Sequence, residues 1–351
     1  MKTKYNYPTN EEGEYICPEL GADCPNAIEV TTKRAVRNHM KKYHQGETQN
    51  NLETEETEKA IDVQRKMAEI RDSEKSEEEK IKAMEEIVKE YNEALINLGD
   101  DRAEINYDVD SDYILLIGLS DLHYGNKNVD MDYVDRLIDY IENNENVYCF
   151  LNGDIIDNWV KLSPNGGIYE QVLNPEYQLD IMNTKLKPIK NKIVAVVTGN
   201  HENRSKRQGE RNPAKVMAKE LGVPYLGHGG RLIFHFSGGA NYVAHVRHRY
   251  KYNSSINPTH GCVKLVREKD AEADIIAVGH NHEPAVASHF ISGKQRSLIR
   301  FGSSMPSTSF SESLGYADTP LKAPCVVMKG DKKSHHPFLS IDIAEQYLKR
   351  I

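Results

Sequence analysis

Residues 146–159 read NVYCFLNGDIIDNW, and the change of character halfway along this stretch decides the fold. Val147 to Asn152 form a short, nearly continuous apolar run, which reads as a strand covered on both faces. The run then empties into Gly153-Asp154-Ile155-Ile156-Asp157. Three other stretches repeat the pattern: YILLIGLSDLHYG (113–125), KIVAVVTGNHE (192–202) and EADIIAVGHNHEP (272–284). Each gives a strand ending in a cluster of Asp, His, Asn and Gly. Amphipathic helices fit between the first three, around Met131 to Ile141 and Tyr177 to Leu186. Strands alternating with helices predict an α/β domain with a largely central sheet and helices on its faces. Ligands in such sheets bind off the strand ends, so the four clusters are expected to meet.

One such cluster is an ordinary turn; four, each closing an apolar strand, ask for a shared purpose. Two divalent cations about 3.5–4 Å apart need a bridging carboxylate and a mixed ring of oxygen and imidazole donors. Asp121, His123, Asp154, Asn200, His280 and His282 supply that mixture.

With Asp121-Leu122-His123, Gly153-Asp154-Ile155-Ile156-Asp157, Gly199-Asn200-His201-Glu202 and Gly279-His280-Asn281-His282 in place, the sequence resembles the calcineurin-like metallophosphoesterase superfamily over roughly residues 112–345. The resemblance implies a four-layer α-β-β-α sandwich. One metal would be held by Asp121, His123, the bridging Asp154 and His282, the other by Asp154, Asn200, a lone histidine and His280. It further implies in-line attack of a metal-held hydroxide on phosphorus, with His201 facing the leaving oxygen. Asp157 would hold the His201 imidazole in its tautomer and favour its cationic form. Glu202 reads as a helper that fixes the turn. The lone histidine is open among three positions. His248 follows a strand drawn from Tyr242 to Arg247 and is favoured; His245 lies mid-strand, and His260 has a His-Gly pair but follows a loop. The family has His-Gly at this point, whereas this chain has His248-Arg249.

The substrate is less constrained, since one fold hosts many chemistries. Protein phosphatases of this superfamily place an Arg straight after the second Asp of the Gly-Asp motif, and here that position is Asn158. The segments around the third motif resemble, more loosely, exonuclease-like members from bacteria and phages. Arg204, Lys206, Arg207 and Arg211 follow one motif, and Arg247, Arg249 and Lys251 stand with Tyr250 and Tyr252 near another. Cations interleaved with aromatics suit a polyanion whose bases can stack; the alternative is that they pair with acidic neighbours and solvate a loop. Arg204, Arg207, Arg247 and Arg249 are the candidate substrate contacts. The expected activity is therefore a two-metal phosphodiesterase acting on DNA or RNA, with manganese serving readily and iron, zinc or nickel as alternatives. A phosphomonoesterase or small- or cyclic-nucleotide phosphodiesterase is the second reading, and a scaffold with a residual metal site the third.

Outside this domain, expected to span 111–351, two further regions stand apart. Residues 1–46 carry Cys17, Cys24, His39 and His44, the residue order of a structural zinc site. So short a segment needs such a metal to fold. Lys33, Arg34, Arg37, Lys41 and Lys42 lie on the same predicted helix, which reads equally as a phosphate-facing surface or as a solvated helix face. Residues 47–110 hold 21 Asp and Glu against 9 Lys and Arg, a local charge of −12 within a total of −8, leaving +4 elsewhere. From Leu52 to Leu98 there is no Gly or Pro, and Ile81, Met84, Val88, Tyr91, Leu95 and Leu98 step by 3 and 4. That spacing predicts a coiled-coil seam, capped by Ser76 and Glu79, with homodimerisation as one use. Five cysteines among 351 residues do not look like a disulfide framework and favour a reducing, cytoplasmic setting. Neither a leader peptide nor a membrane span is indicated.

Overall fold

The computed structural model describes residues 65–73, 75–76, 78–87, 104–160, 163, 170–254, 256–306 and 318–350. Cys17, Cys24, His39 and His44 lie outside the described residues. The chain divides into two compact units, Met1–Leu98 and Gly99–Ile351.

In the first unit residues 65–71 and 78–87 are helical. The expected capping box is formed: the Ser76 backbone N–H donates to Glu79 Oε2 at 3.0 Å, and the Glu79 N–H donates to Ser76 Oγ at 3.3 Å. Residues 72–73 leave the helix, so the stretch is interrupted there. Among the described residues, no helix in either unit is long and apolar enough to cross a membrane.

The second unit corrects one expectation and bears out another. Glu104–Val109, placed by sequence in the acidic helical region ending at 110, is a strand (β1) paired with the phosphoesterase domain. Its alternating exposure shows why the run of charges is compatible with a strand at a sheet edge. The two sheets of the expected α-β-β-α sandwich are present. In chain order the remaining strands are β2 (Tyr113–Leu119), β3 (Val147–Asn152), β4 (Ile193–Val197), β5 (Gly229–Phe236), β6 (Asn241–Arg247), β7 (Ile275–Val278), β8 (Ala285–Ile291), β9 (Lys294–Arg300), β10 (Cys325–Lys329) and β11 (His335–Phe338). Among the described residues they form a five-stranded sheet, β11-β10-β2-β3-β4, and a six-stranded sheet, β1-β5-β6-β7-β9-β8.

The helices are α1 (Met131–Asn143), α2 (Pro175–Leu186), α3 (Glu202–Arg207), α4 (Pro213–Leu221), α5 (His260–Glu268) and α6 (Ile341–Leu348). Alternation along β2 explains the layering. Ile114 and Leu116 face the other sheet, joining Phe150, Val197, Phe234, Tyr242 and Val246 in the inter-sheet core. Leu115, Ile117 and Leu119 face the opposite way and meet Val134, Leu137, Ile138 and Ile141 of α1 with Met182 and Leu186 of α2. On the outer face of the six-stranded sheet, Cys262, Leu265 and Val266 of α5 cover Ile276, Val278 and Leu298. The order is therefore helix, sheet, sheet, helix, and each fully buried Leu, Ile or Phe contributes about 1.5–3 kcal/mol to holding it.

Register carries the motifs to one place. Leu119 pairs with Leu151 in parallel, so two residues on Asp121 stands beside Gly153 and donates its N–H to the Gly153 carbonyl at 3.1 Å. Asn152 pairs with Val197, which brings Asp154 next to Gly199. Arg247 pairs with Val278, and beyond them the Gly279 N–H donates to the His248 carbonyl at 3.0 Å.

Candidate metal centre and active site

The C-terminal ends of β2, β3, β4, β6 and β7 meet where the two sheets face each other. Their residues cross-brace: the His280 N–H donates to both carboxylate oxygens of Asp121 at 3.0 and 3.1 Å. His248 Nδ1 lies 2.8 Å from the Asn152 carbonyl. Close approach is enforced by glycine at two positions: a Cβ on Gly199 would strike Asp154 Oδ1, and one on Gly279 would strike Ser120 Oγ and Asp121 Oδ2.

Three overlapping donor groups result among the described residues. Asp121, His123 and His282 form one, Asp154, His248 and His280 a second, and His123, Asp154 and His201 a third that shares a member with each. In the first, His282 Nε2 lies 3.4 Å from Asp121 Oδ1 and 3.0 Å from His123 Nε2, while His123 Nε2 is 3.9 Å from Asp154 Oδ2. In the second, His248 Nε2 lies 3.2 Å from Asp154 Oδ2 and 3.0 Å from Asn200 Oδ1. Donors about 2.1 Å from a common cation stand roughly 3.0–3.4 Å apart at the edges of its coordination shell, so most of these spacings fit a divalent ion. The tautomer of His248 fits too. Its Nδ1–H is taken by a main-chain carbonyl, leaving the Nε2 lone pair for a cation. Of the three candidate positions, only His248 reaches the cluster. His245 sits within β6 and pairs with Asp270 at 2.7 Å, and His260 opens α5 beside Tyr252.

Asp121, His123, Asp154 and His248 are almost fully buried, and their charges are strongly interdependent. Burial would raise the carboxyl pKa values, but the imidazoles of His248 and His282 bring Asp121 down to about 2, and His248 and His201 hold Asp154 well below its usual range. Burial works against protonating His248, yet Asp154 and Asp121 carry it up to about 10. Burial and the neighbouring His248 press His280 down to about 4.

Glu202 opens α3 and is completely buried. Its Oε2 accepts the N–H groups of Asp154 and Gly199, both at 2.9 Å, and Oε1 accepts that of Ile155 at 2.8 Å. One carboxylate thus fastens the second motif to the third. Burial and the nearby Asp154 raise its pKa.

His201 differs from expectation in its support. The carboxylate of Asp157 was expected to orient it, but it is the Asp157 carbonyl that lies 2.5 Å from His201 Nδ1, with Oδ1 at 3.6 Å. That carboxylate also faces His123 Nδ1 at 3.5 Å and accepts from Asn126 Nδ2 at 3.1 Å. The cationic form is not favoured: burial, then His123 and Arg204, outweigh Asp154 and hold the His201 pKa well down.

The candidate substrate cations separate into two kinds. Arg204 is packed into the site, its guanidinium 4.1 Å above the Trp159 ring and within 2.7 Å of His201 Nε2. Arg207 and Arg249 are exposed, and Arg247 is half-buried at the end of β6. Lys251 pairs with Glu268 at 3.2 Å, and Lys264 pairs with the same carboxylate at 3.5 Å, so this part of the basic rim is neutralised.

Three contributors lack any pattern in the sequence. Asn126 holds Asp157, Gln178 Oε1 accepts the Asn158 N–H at 2.9 Å, and Trp159 backs Arg204. Each acts through tertiary contact, so no spacing announces it.

Comparison with known proteins agrees with this geometry. The pattern of the calcineurin-like phosphoesterase family matches residues 114–296, and the chain belongs to that family. It is a metal-dependent phosphoesterase. Comparison with curated proteins gives no match. Among solved structures, the chain is similar to the calcineurin-like phosphoesterase YfkN from Bacillus subtilis, with TM-score 0.37 and 12% identity over 68% of this chain and 96% of that one. It is also similar to a candidate 5′-nucleotidase from Staphylococcus aureus, with TM-score 0.38 and 13% identity over 68% of this chain and 57% of that one. A third is the phosphopantetheinyl hydrolase from Mycobacterium tuberculosis, with TM-score 0.29 and 15% identity over 55% of this chain and 91% of that one.

Proposed function

We propose that the chain hydrolyses phosphodiester bonds in nucleic acid, using two divalent cations held by Asp121, His123, Asp154 and His282 on one side and Asp154, Asn200, His248 and His280 on the other. The observation that carries the reading is the place of Asp154, within reach of both donor groups, which suits a pair of ions acting on a single phosphoryl centre. When bound, such ions supply an activated water and neutralise charge on the phosphoryl oxygens; manganese suits the mixed donor set, with iron, zinc and nickel as alternatives.

The chain's own residues supply the remainder. Glu202 and the tight passages at Gly199 and Gly279 fix Asp154 and Asp121, so that little reorganisation remains when substrate arrives. His201, its Nδ1–H given to the Asp157 carbonyl, offers Nε2 as the atom that would have to take up a proton before donating it to the leaving oxygen. Exposed Lys206 and Arg207 in the last turn of α3 and Arg211 beyond it, with Arg249 after β6, would attract the sugar–phosphate backbone. The N-terminal Cys17, Cys24, His39 and His44, holding zinc, would add a second contact to nucleic acid, and the acidic helical region a means of pairing two copies.

The test is incubation of the protein with Mn²⁺ and end-labelled single- and double-stranded DNA and RNA. Cleavage that weakens steeply with salt is expected. Intact strands alongside rapid phosphate release from nucleoside monophosphates would refute the nuclease reading and favour a phosphomonoesterase.

A further inference from the structure

Arg204 is a half-buried guanidinium for which, among the described residues, no carboxylate lies within ion-pair distance. Asp154, Asp157 and Glu202 favour the cation only at longer range, and burial outweighs them; a half-buried cation without a direct ion pair is costly, and such a cost persists where a charge is kept for a ligand. What surrounds Arg204 is instead a cradle that holds a cation without neutralising it. The Trp159 ring lies flat beneath it at 4.1 Å, the Asp157 carbonyl accepts from NH1 at 3.2 Å, and His201 Nε2 lies 2.7 Å from NH2. A cation–π contact, a carbonyl and an imidazole ring fix direction without a direct ion pair.

The loop beneath explains how the cradle is built. At the position following Asp157 stands Asn158, buried and with φ 45°, whose Nδ2 donates to the His201 carbonyl at 2.6 Å and to Ser205 Oγ at 3.1 Å. This side chain ties the start of α3 to the second motif, and α3 in turn delivers Arg204 into the site.

We propose that Arg204 is the phosphate-gripping residue of this enzyme: an incoming substrate draws its guanidinium off His201 Nε2 onto a non-bridging phosphoryl oxygen, and Trp159 keeps the planar cation aligned in both positions. The exchange gives the substrate a charge-assisted hydrogen bond and frees Nε2 to face the leaving oxygen. The inference rests on the phosphoester chemistry of the site and is independent of whether the ester belongs to nucleic acid. It separates Arg204 from Arg207, which is exposed one turn further along and serves at most long-range attraction.

Trp159 is the single tryptophan of the chain, so its emission reports on the cradle directly. Inorganic phosphate titrated into the Mn²⁺-loaded protein is expected to shift that emission saturably. The Arg204→Ala variant should bind phosphate at least about tenfold more weakly by calorimetry, the loss of one charge-assisted hydrogen bond, and should show no emission shift. Arg204→Lys should recover part of the affinity, since charge returns without the planar stack. With bis(p-nitrophenyl) phosphate, Arg204→Ala should raise KM as well as lower kcat, while Lys190→Ala, at an exposed cation just before β4, stays within twofold of wild type. Phosphate affinity in Arg204→Ala equal to wild type overturns the inference whatever the turnover. Absence of turnover of every phosphoester by the wild-type protein would strike at the site reading instead.

Discussion

Replacing Glu202 by Gln isolates the contribution of a single buried charge to the architecture of the site. The carboxylate accepts three main-chain N–H groups, two on Oε2 and one on Oε1. A glutamine can keep its carbonyl oxygen on the Asp154 and Gly199 donors. Its amide N–H₂ then faces the Ile155 N–H, donor against donor. Losing charge assistance weakens each of the two retained bonds by about 1 kcal/mol, and stranding the third donor costs about 2 kcal/mol more. Against this stands the relief of no longer burying a charge beside Asp154, the same effect that raises the Glu202 pKa. The net loss is about 2–3 kcal/mol, read as a lower midpoint in urea unfolding of metal-free protein at unchanged slope. Because the same contacts fix Asp154 and the Gly199-Asn200 turn, Mn²⁺ affinity should fall about 10- to 100-fold, as when other supports of metal ligands are removed. Glu202→Ala, which strands all three donors, should be worse on both counts. A Gln variant within 0.5 kcal/mol of wild type, with undiminished metal affinity, would show that the turn is held by other means and refute the reasoning.

Asp154→Asn should lower kcat about a thousandfold, several kcal/mol of transition-state stabilisation, and should also lower the unfolding midpoint of the metal-free protein, because His248 and His201 make the ionised carboxylate the favoured form of the native state. In Asn158, φ 45° makes glycine the less strained choice: Asn158→Gly should be more stable than Asn158→Ala by about 1 kcal/mol, since both lose the tie to α3 but only alanine keeps the strain. Hydrogen bonds from His245 and Arg231 outweigh burial and hold the Asp270 pKa below its usual range, and burial lowers that of His245. Both groups make the unfolded chain bind more protons as pH falls, so stability should begin to drop below about pH 6.5 and fall further through the carboxylate range. Asp270→Asn should flatten the lower part of that limb in pH-dependent unfolding. Cys149, Cys262 and Cys325 are buried with raised thiol pKa values, so a thiol reagent on native, metal-free protein should count two of the five cysteines. Zinc should protect both; unchanged labelling would refute zinc binding at Cys17 and Cys24.

The site was legible because its strands are apolar along their whole length and stop abruptly. Ile193–Val197 and Ile275–Val278 are buried at every residue, and the first polar residue beyond each falls at the mouth of the sheet. The same property, taken alone, left the number of sheets open, and it was the resemblance to the superfamily that implied two. A strand such as β2, with Leu115 and Leu116 equally apolar, declares that both faces are covered without saying whether a helix or a second sheet covers them. β1 and β8 are edge strands with exposed faces. Glu104–Val109 does alternate polar and apolar at strand period, but its charges were counted with the acidic helical run before it, whereas β8, open at Ser288–Phe290, offers no such pattern. Helix ends were more explicit: Asn174 with Pro175 and Asn212 with Pro213 cap α2 and α4, and Gly222 in the left-handed region closes α4. Arg204 could be seen as a cation behind a motif, but its partner Trp159 arrives from another loop through tertiary packing, which no local spacing encodes.

Backbone conformation adds a reason why the motif letters are what they are. Asp121, His123, Asp154, Asn158, His280 and His282 all have φ between 45 and 76°, and among the described non-glycine residues only Ser292 joins them. Each such residue costs about 1–2 kcal/mol, a sum comparable to the whole stability of an ordinary domain. The cost falls on residue types that bear it best, since Asp, Asn and His enter this region several-fold more readily than branched or bulky residues. It is offset by bonds that left-handed turns make available: Asp121 N–H to the Gly153 carbonyl at 3.1 Å, His123 N–H to the Asp154 carbonyl at 2.9 Å, and His280 N–H to the Asp121 carboxylate. Extended backbone would send successive side chains to opposite faces. A left-handed residue between strand and loop instead turns Asp121 and His123 toward one point, and does the same for His280 and His282. Strain and ligand convergence are therefore one structural event, and a substitution that relaxed the backbone while keeping a donor atom would still move that donor away from its partners.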